Sequence, residues 1–510
     1  MPRLIENSPY WLKLLMALVL GVVLSYSQAP YHSWFLTFIS FGGFYFLFET
    51  LEKKREVFLL SFIFSIGYFV AGLNWIGNAL LVEGNEYRWV WPIAVIALPC
   101  LLSLFPALFL SVARYLSKAK TMESFLLFCV LLSLAEFTRS FIFTGFPWNL
   151  YGYTWLGLFP IAQSVSLIGP FGLTFLTIFW GAVFGFVSIH CQKSIPVFTI
   201  ALATFLMTYG YGFYRLDSAI VNGNEDIAVT VVQPNIPQAE KWDPDKLVAN
   251  FEKHMELSSQ QSNVKKEIII WPETAIPPAL INAPSVKQRL QSILNEHRIL
   301  LSGGLAITQD PKTQKREYHN AVFQFDGRST PERLYNKSHL VPFGEYIPFQ
   351  QFIPLTPVVN FTGFQKGNGA TTIDLAGWPS FSPQICYEII FPNRMVAKDA
   401  ERPDFILTVT NDAWYGGSPG PRQHFAQARF RAIEQAIPVI RSANTGISGI
   451  IDPYGRVVEK LSLLESGFIQ QNLPKSLSNR TLYSSVSNWL YLIFCGSVFA
   501  ILFICRRFLK

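Results

Sequence analysis

The stretch EIIIWPETAIP, residues 267–277, opens with Ile268, Ile269 and Ile270 in an unbroken apolar run and then turns polar at Glu273. A run with no polar alternation is expected of a strand buried on both faces. Similar β-branched runs recur at IAVTVVQ (227–233), ILLSGGLA (299–306), NAVFQF (320–325), SPQICY (382–387) and DFILTVT (404–410). Between them lie PDKLVANFEKHMELSSQ (244–260), SVKQRLQSILNEH (285–297) and RQHFAQARFRAIEQA (422–436), whose apolar positions recur at three and four. This alternation predicts an α/β domain over residues 216–484, large enough to build its own core.

The rest of the chain is written for a different solvent. Of its 510 residues 50% are hydrophobic, 15% charged and 45 are Phe, the composition of a membrane protein with a soluble part. A span needs about 20 mostly apolar residues. Such runs fall at 10–28, 33–50, 57–77, 89–113, 122–143, 167–189, 195–214 and 487–505. The expected plan is a seven-helix membrane domain (1–215), the α/β domain (216–484), and an eighth helix with its tail (485–510).

Lys and Arg beside the spans set the orientation. Arg3 and Lys13 flank the first run, EKKRE (52–56) follows the second, Arg114, Lys118 and Lys120 the fourth, Lys193 the sixth and CRRFLK (505–510) the last. Threaded through eight spans, every basic cluster falls on one side, which is expected to be cytoplasmic. Glu83 and Glu86 in LLVEGNEYR and the nearly uncharged TGFPWNLYGYTW fall on the other, with the α/β domain. SYSQAP, after the first run, has small residues spaced like a cleavage site; a span is expected there, and cleavage would leave the remaining topology unchanged. The net charge of +7 resides mostly in these anchors, so it does not point to nucleic acid. Glu136 and Arg139, inside the fifth run, are expected to pair near a helix end. Trp75, Trp89 and Trp91 suit an interface belt.

Cys100, Cys129, Cys191, Cys495 and Cys505 lie in or beside apolar runs, where cysteine is a small hydrophobic residue. Cys386 alone lies in the polar domain, without a partner for an internal disulfide. Three places beside strand-like runs carry reactive groups: Glu273 in WPETAIP, Lys337 in YNKSHLVPFGEYIP and Cys386 in SPQICY, with Glu345 and Glu388 nearby. A thiol attacks as thiolate, a carboxylate can take its proton, and a lysine can stabilise an oxyanion. Together they would complete an acyl-transfer site, but their spacings form no motif, and a packed cysteine beside a Glu–Lys ion pair is the plainer reading. The seven histidines show no metal-ligand spacing, and neither metal nor cofactor is expected. YGGSPGP (415–421) lacks the Lys-Ser/Thr of a phosphate loop and reads as a turn before a helix, or with Trp414 and Tyr415 as a lid.

Taken together, WPETAIP, YNKSHLVPFGEYIP, ICYEIIFP and NDAWYGGSPGPRQHFAQARFRAIEQAIPVIRSANTG closely resemble the apolipoprotein N-acyltransferases of bacteria, a membrane branch of the nitrilase (carbon-nitrogen hydrolase) superfamily. GFPW (145–148), VQPNIPQAEKW (232–242) and the seven-plus-one arrangement of spans extend the likeness over nearly the whole chain. The resemblance implies an αββα sandwich inserted between transmembrane helices 7 and 8 of an eight-helix membrane domain. It implies Glu273 as general base, Lys337 as transition-state stabiliser and Cys386 as nucleophile, with supporting roles for Asn320, Glu345, Tyr387 and Glu388, and substrate-binding or lid roles for Trp242 and Trp414. The implied reaction is ping-pong: Cys386 takes an acyl chain from a phospholipid as a thioester, then passes it to the α-amino group of the diacylglyceryl-cysteine of an apolipoprotein. A monomer of the bacterial inner membrane is expected, with both termini cytoplasmic and the catalytic domain periplasmic.

Rival readings of the same residues are a membrane-tethered amidase or nitrilase acting on small C–N substrates and a catalytically silent lipid-binding scaffold. Eight spans exceed what a tether needs, and an intact Glu, Lys and Cys set argues against silence. A papain-like pairing of Cys386 with His424 and Asn411 or Asn444 lacks the local sequence signature of that class.

Overall fold

The computed structural model describes residues 5–83, 86–190, 194–219, 223–260, 262–309, 314–348, 363–397 and 400–508. Of the residues singled out above, Arg3, Cys191, Lys193 and Lys510 lie outside these. The chain forms two compact units: Met1–Gly77, Val90–Ala219 and Arg480–Lys510 in one, Asn78–Trp89 and Ile220–Asn479 in the other.

The first unit is helical: α1 (Tyr10–Ser25), α2 (Leu36–Glu49), α3 (Lys54–Leu73), α4 (Trp91–Leu116), α5 (Met122–Arg139), α6 (Val165–His190), α7 (Ile195–Asp217) and a C-terminal helix Trp489–Phe508. Where lipid is the solvent, packing rather than hydrophobicity holds helices together, and small residues let backbones approach. A Cβ on Gly21 of α1 would sit 1.9 Å from the Phe64 carbonyl oxygen of α3, and one on Gly67 of α3 would sit 2.4 Å from the Leu18 carbonyl oxygen. Among the described residues five helices are long and apolar enough to cross a membrane; α1 and α2 are apolar but shorter. The fifth expected run, as α5, carries three charged residues, Glu123, Glu136 and Arg139.

Two of those three charges neutralise each other. Arg139 Nε and Nη2 donate to Glu136 Oε1 and Oε2 at 2.7 and 2.6 Å, with both side chains fully buried. Arg139 also donates to the carbonyls of Phe146 and Trp148, which ties the GFPW loop to the end of α5. Trp75, read above as an interface residue, is instead buried against Trp148, with ring centroids 4.8 Å apart.

The second unit contains two sheets. The first has the order β11-β1-β2-β3-β4-β5, where β1 is Gly223–Gln233, β2 Lys266–Ile276, β3 Arg298–Gln309, β4 Arg316–Phe325, β5 Glu332–Asn336 and β11 Gly467–Pro474. The second runs β10-β9-β8-β7-β6, with β6 at Phe381–Ile385, β7 at Phe405–Thr410, β8 at Val439–Ala443, β9 at Gly449–Ile451 and β10 at Val457–Lys460. β1, β2 and β3 are parallel, as are β6, β7 and β8.

The isoleucine run of β2 shows how the layers are held. Ile268 and Ile270 join a core shared with Phe381, Phe405 and Leu407 of the second sheet, so the sheets pack face to face. Ile269 and Trp271 point the other way, against Phe251 and Met255 of α8 (Leu247–Leu257) and Val286 and Leu290 of α9 (Pro284–Gln291). Each such fully buried side chain contributes about 1.5–3 kcal/mol. On the second sheet, α10 (Gly420–Gln435) packs on β8. The layers therefore run helix, sheet, sheet, helix.

Candidate active site

β2 is regular only to Trp271; its pairing with β3 breaks between Trp271 and Ile276, and Thr274 adopts φ +50°. Pro272 removes a ladder donor at this break, and the irregularity re-aims the residue between. That residue is Glu273, which lies within the last turn of the strand rather than beyond its end. The backbone of β3 comes so close that a Cβ on Gly303 would fall 2.6 Å from the Glu273 Cα.

The Glu273 carboxylate is buried and held on both oxygens. Oε1 accepts from Asn320 Nδ2 of β4 at 2.7 Å, and Oε2 accepts from the backbone N–H of Asn411, just past β7, at 2.8 Å. Lys337, one residue past β5, brings its Nζ to 2.8 Å from Glu345 Oε1 and 3.7 Å from Glu273 Oε1. Asn320 Nδ2 also reaches Glu345 Oε1 at 3.4 Å, while Glu345 Oε2 accepts from the Val341 backbone at 2.8 Å. Burial alone would lower the Lys337 ammonium, but Glu345 and Glu273 outweigh it and hold the group above its ordinary value as a fixed cation. Burial, against the pull of Lys337, raises Glu345.

Cys386 follows β6 directly and opens a 3-10 turn, Cys386–Ile390, with φ +52°. A non-glycine residue in this region is strained, a feature that concentrates at functional sites. Burial first, then the negative charge of Glu273, push the thiol well above its usual value, with Lys337 pulling the other way. The resting group is a thiol.

The expected supporting residues separate into kinds. Glu388 fastens the loop after Lys337 to the Cys386 turn: its Oε1 accepts from Tyr335 Oη (2.8 Å), Ser338 N (2.7 Å), Ser338 Oγ (2.8 Å) and His339 N (2.9 Å), and its Oε2 from Ile385 N (2.8 Å). Tyr387 is buried, its ring edge-on to Phe391 with centroids 5.2 Å apart. Trp242 packs with Tyr318 and Tyr346 against Leu305, Leu340 and Phe364. Trp414 lies in a 3-10 turn, Asp412–Tyr415, and the Tyr415 carbonyl accepts from Asn78 Nδ2 at 2.9 Å.

Two features escaped the sequence reading. Beneath Cys386, Asp412 accepts from Arg441 Nη2 at 2.8 Å and lies 2.9 Å from His424 Nδ1, while His424 Nε2 donates to the Cys386 carbonyl at 3.1 Å. Burial would raise Asp412, but Arg441 and then His424 hold it down at about 2. His424 thus holds the backbone of the cysteine, an arrangement unlike a papain-like pair; Asn411 meets Glu273 through its backbone, and Asn444 bonds Asn411 and Ile236. The other feature is Lys241, whose Nζ donates to the Glu273 carbonyl at 2.8 Å. The polar residues just past β7 hinted at the first; Lys241 stands inside VQPNIPQAEKW (232–242), where only its neighbour Trp242 was given a role.

The carbon-nitrogen hydrolase family model matches residues 228–481, and that of the apolipoprotein N-acyltransferase N-terminal domain matches residues 20–183. Apolipoprotein N-acyltransferase of Brucella melitensis biotype 1 is 37% identical over 484 residues, 91% of this chain and 90% of that one. The protein of the same description from Agrobacterium fabrum is 34% identical over 500 residues, 94% of this chain and 93% of that one. Among solved structures, a mutant of the Nesterenkonia AN1 amidase from the nitrilase superfamily overlays with TM-score 0.34 at 16% identity, over 50% of this chain and 94% of that chain, a score too low to add weight. Two family models in order along the chain, with relatives matched over nine-tenths or more of both chains, mean that the chain belongs to the apolipoprotein N-acyltransferase family.

Proposed function

We propose that this protein N-acylates lipoproteins through a thioester on Cys386, with Glu273 as proton carrier and Lys337 as stabilising cation. The observation that carries the reading is the buried Lys337 ammonium, 3.7 Å from Glu273 and 2.8 Å from Glu345, in a domain where Glu388 ties the next loop to the Cys386 turn.

In the first half, Glu273 takes the Cys386 proton as sulfur attacks the ester carbonyl of a phospholipid, with phosphatidylethanolamine and its sn-1 chain the expected donor. The developing oxyanion is drawn to Lys337. The ester C–O bond breaks, and the proton on Glu273 passes to the departing oxygen, releasing a lysophospholipid. In the second half the free α-amino group of a diacylglyceryl-cysteine attacks the thioester, its proton returns through Glu273 to the Cys386 sulfur, and an amide remains. A thiol held above its ordinary value at rest fits a base that removes the proton during attack rather than a standing thiolate.

The proposed frame is eight spans in three segments, 1–215, 216–484 and 485–510, with the catalytic domain periplasmic and the protein monomeric. Trp242 and Trp414 are assigned to substrate contact, Tyr387 and Asn320 to support of the nucleophile and base.

Intact-mass measurement of the detergent-purified protein after incubation with phosphatidylethanolamine and no acceptor tests this. The expected result is a gain of one fatty acyl chain, removed by hydroxylamine and missing in Cys386→Ala. An adduct that persists in Cys386→Ala moves the nucleophile elsewhere; no adduct on a folded protein favours hydrolysis of small C–N substrates.

A further inference from the structure

Glu273 has two buried lysines beside it. Lys337 belongs to the site just described; Lys241 follows the turn Gln238–Glu240 after β1 and is 7% exposed. Its Nζ donates at 2.8 Å to the backbone carbonyl of Glu273, the residue whose carboxylate meets Asn320, Asn411 and Lys337. An ammonium has three N–H donors. Among the described residues this carbonyl is its one hydrogen-bond acceptor.

Charge bookkeeping gives that position a purpose. Without Lys241 the cluster around Lys337 sets two carboxylates, Glu273 and Glu345, against one ammonium. Moving the thiol proton to Glu273 transfers negative charge to sulfur without removing it. An uncompensated charge is costly in a low-dielectric interior. A second cation cancels it throughout the transfer.

We propose that Lys241 is a positioning residue of the active site, which holds the Glu273 backbone and supplies the second buried positive charge that makes the Cys386 thiolate attainable. The proposal rests on the reading of Glu273 as proton acceptor and Cys386 as nucleophile. The groups that face Lys241 agree with it. Burial lowers the Lys241 ammonium while Glu273 on β2 and Cys386 at the turn after β6 raise it, and the balance leaves it at about 8, still cationic at pH 7. From α8 the facing group is His254, which burial, with Lys241 and Lys253 adding to it, pushes down to about 4, so it is neutral at pH 7.

The test is the rate of Cys386 alkylation by iodoacetamide between about pH 6 and 10, followed by intact mass on the full-length protein in detergent, with Cys386→Ser to identify the adduct. In Lys241→Met the rate at neutral pH is expected to fall about tenfold or more, the effect of one pKa unit, and the profile to shift to higher pH, while Lys241→Arg stays near the parent. Should Lys241→Met fail to fold, Lys241→Gln takes its place in the same comparison. A neutral variant that alkylates like the parent overturns the proposal, as does an equal loss in the neutral and Arg variants, which marks a packing role. Alkylation needs no lipid. A parent protein whose alkylation depends on Lys241 but which never takes an acyl chain from phosphatidylethanolamine overturns the acyl-transfer reading and leaves Lys241 in place.

Discussion

Glu273 accepts a side-chain hydrogen bond on one oxygen, from β4 of the first sheet, and a backbone hydrogen bond on the other, from the residue just past β7 of the second. Glu273→Gln keeps the shape but can offer only one carbonyl oxygen to those two donors, a cost of about 1–3 kcal/mol. The fold is expected to survive, while thioester formation falls by on the order of 10² to 10⁴ as the proton acceptor is lost. Single-turnover acylation followed by mass checks this, and unchanged turnover would remove Glu273 from the proton path. The residues of this site were recognisable from the sequence because WPETAIP, YNKSHLVPFGEYIP and ICYEIIFP together form a family pattern. Their separate jobs were not. Glu388 reads in the sequence as one more carboxylate beside a cysteine, and only the fold shows five donors converging on it. Lys241 lies far from Glu273 along the chain, and no periodicity reports that its side chain turns under that carbonyl.

At the scale of elements, the turn after β6 is held from two sides. Glu388 accepts from Ile385 in front of Cys386 and from Ser338 and His339 across the site, while His424 on α10 donates to the Cys386 carbonyl. Glu388→Ala would strand several buried donors at about 1–3 kcal/mol each, so a loss of at least about 3 kcal/mol is expected together with loss of acylation. Thermal unfolding in detergent measures it. An Ala variant that melts like the parent yet fails to acylate would give Glu388 a chemical role in place of a clamping one. The elements that frame this turn were visible where both strand faces are apolar, as in β2, β3 and β7, and hidden where they are not. β5 reads ERLYN and β10 reads VVEK, short and half polar, and β11 pairs with β1 across most of the domain. The helix expected over 285–297 ends at Gln291, because the chain turns through an isolated bridge between Asn295 and Arg298 to start β3.

At the scale of the molecule, the membrane helices carry their own evidence of polarity. Arg114, near the end of α4, donates to Glu49, at the end of α2, at 3.2 Å, and the Lys54 ammonium lies 4.5 Å from the centre of the Tyr115 ring. Lys120 pairs with Glu6 ahead of α1, and Arg506 at the chain's last turn reaches Glu123 at the start of α5 at 2.5 Å. These contacts draw the basic clusters beside residues 6, 54, 114–120 and 506 to one end of the helical unit. The two exposed pairs, Lys120–Glu6 and Arg506–Glu123, contribute little stability, about 0–1 kcal/mol, so their value is topological. Basic flanks stay on the cytoplasmic side, so Lys118 in the α4–α5 connection is expected to face the cytoplasm. Exposed Asn263 in the catalytic domain is expected to face the periplasm. Lys118→Cys and Asn263→Cys, each in a background without the native cysteines, separate the possibilities with a membrane-impermeant maleimide. In intact spheroplasts Asn263→Cys should be labelled within minutes and Lys118→Cys only after permeabilisation. The reverse pattern would place the Cys386 turn in the cytoplasm, where no outer-leaflet phospholipid or exported lipoprotein reaches it, and would overturn the proposed substrate pair with the orientation.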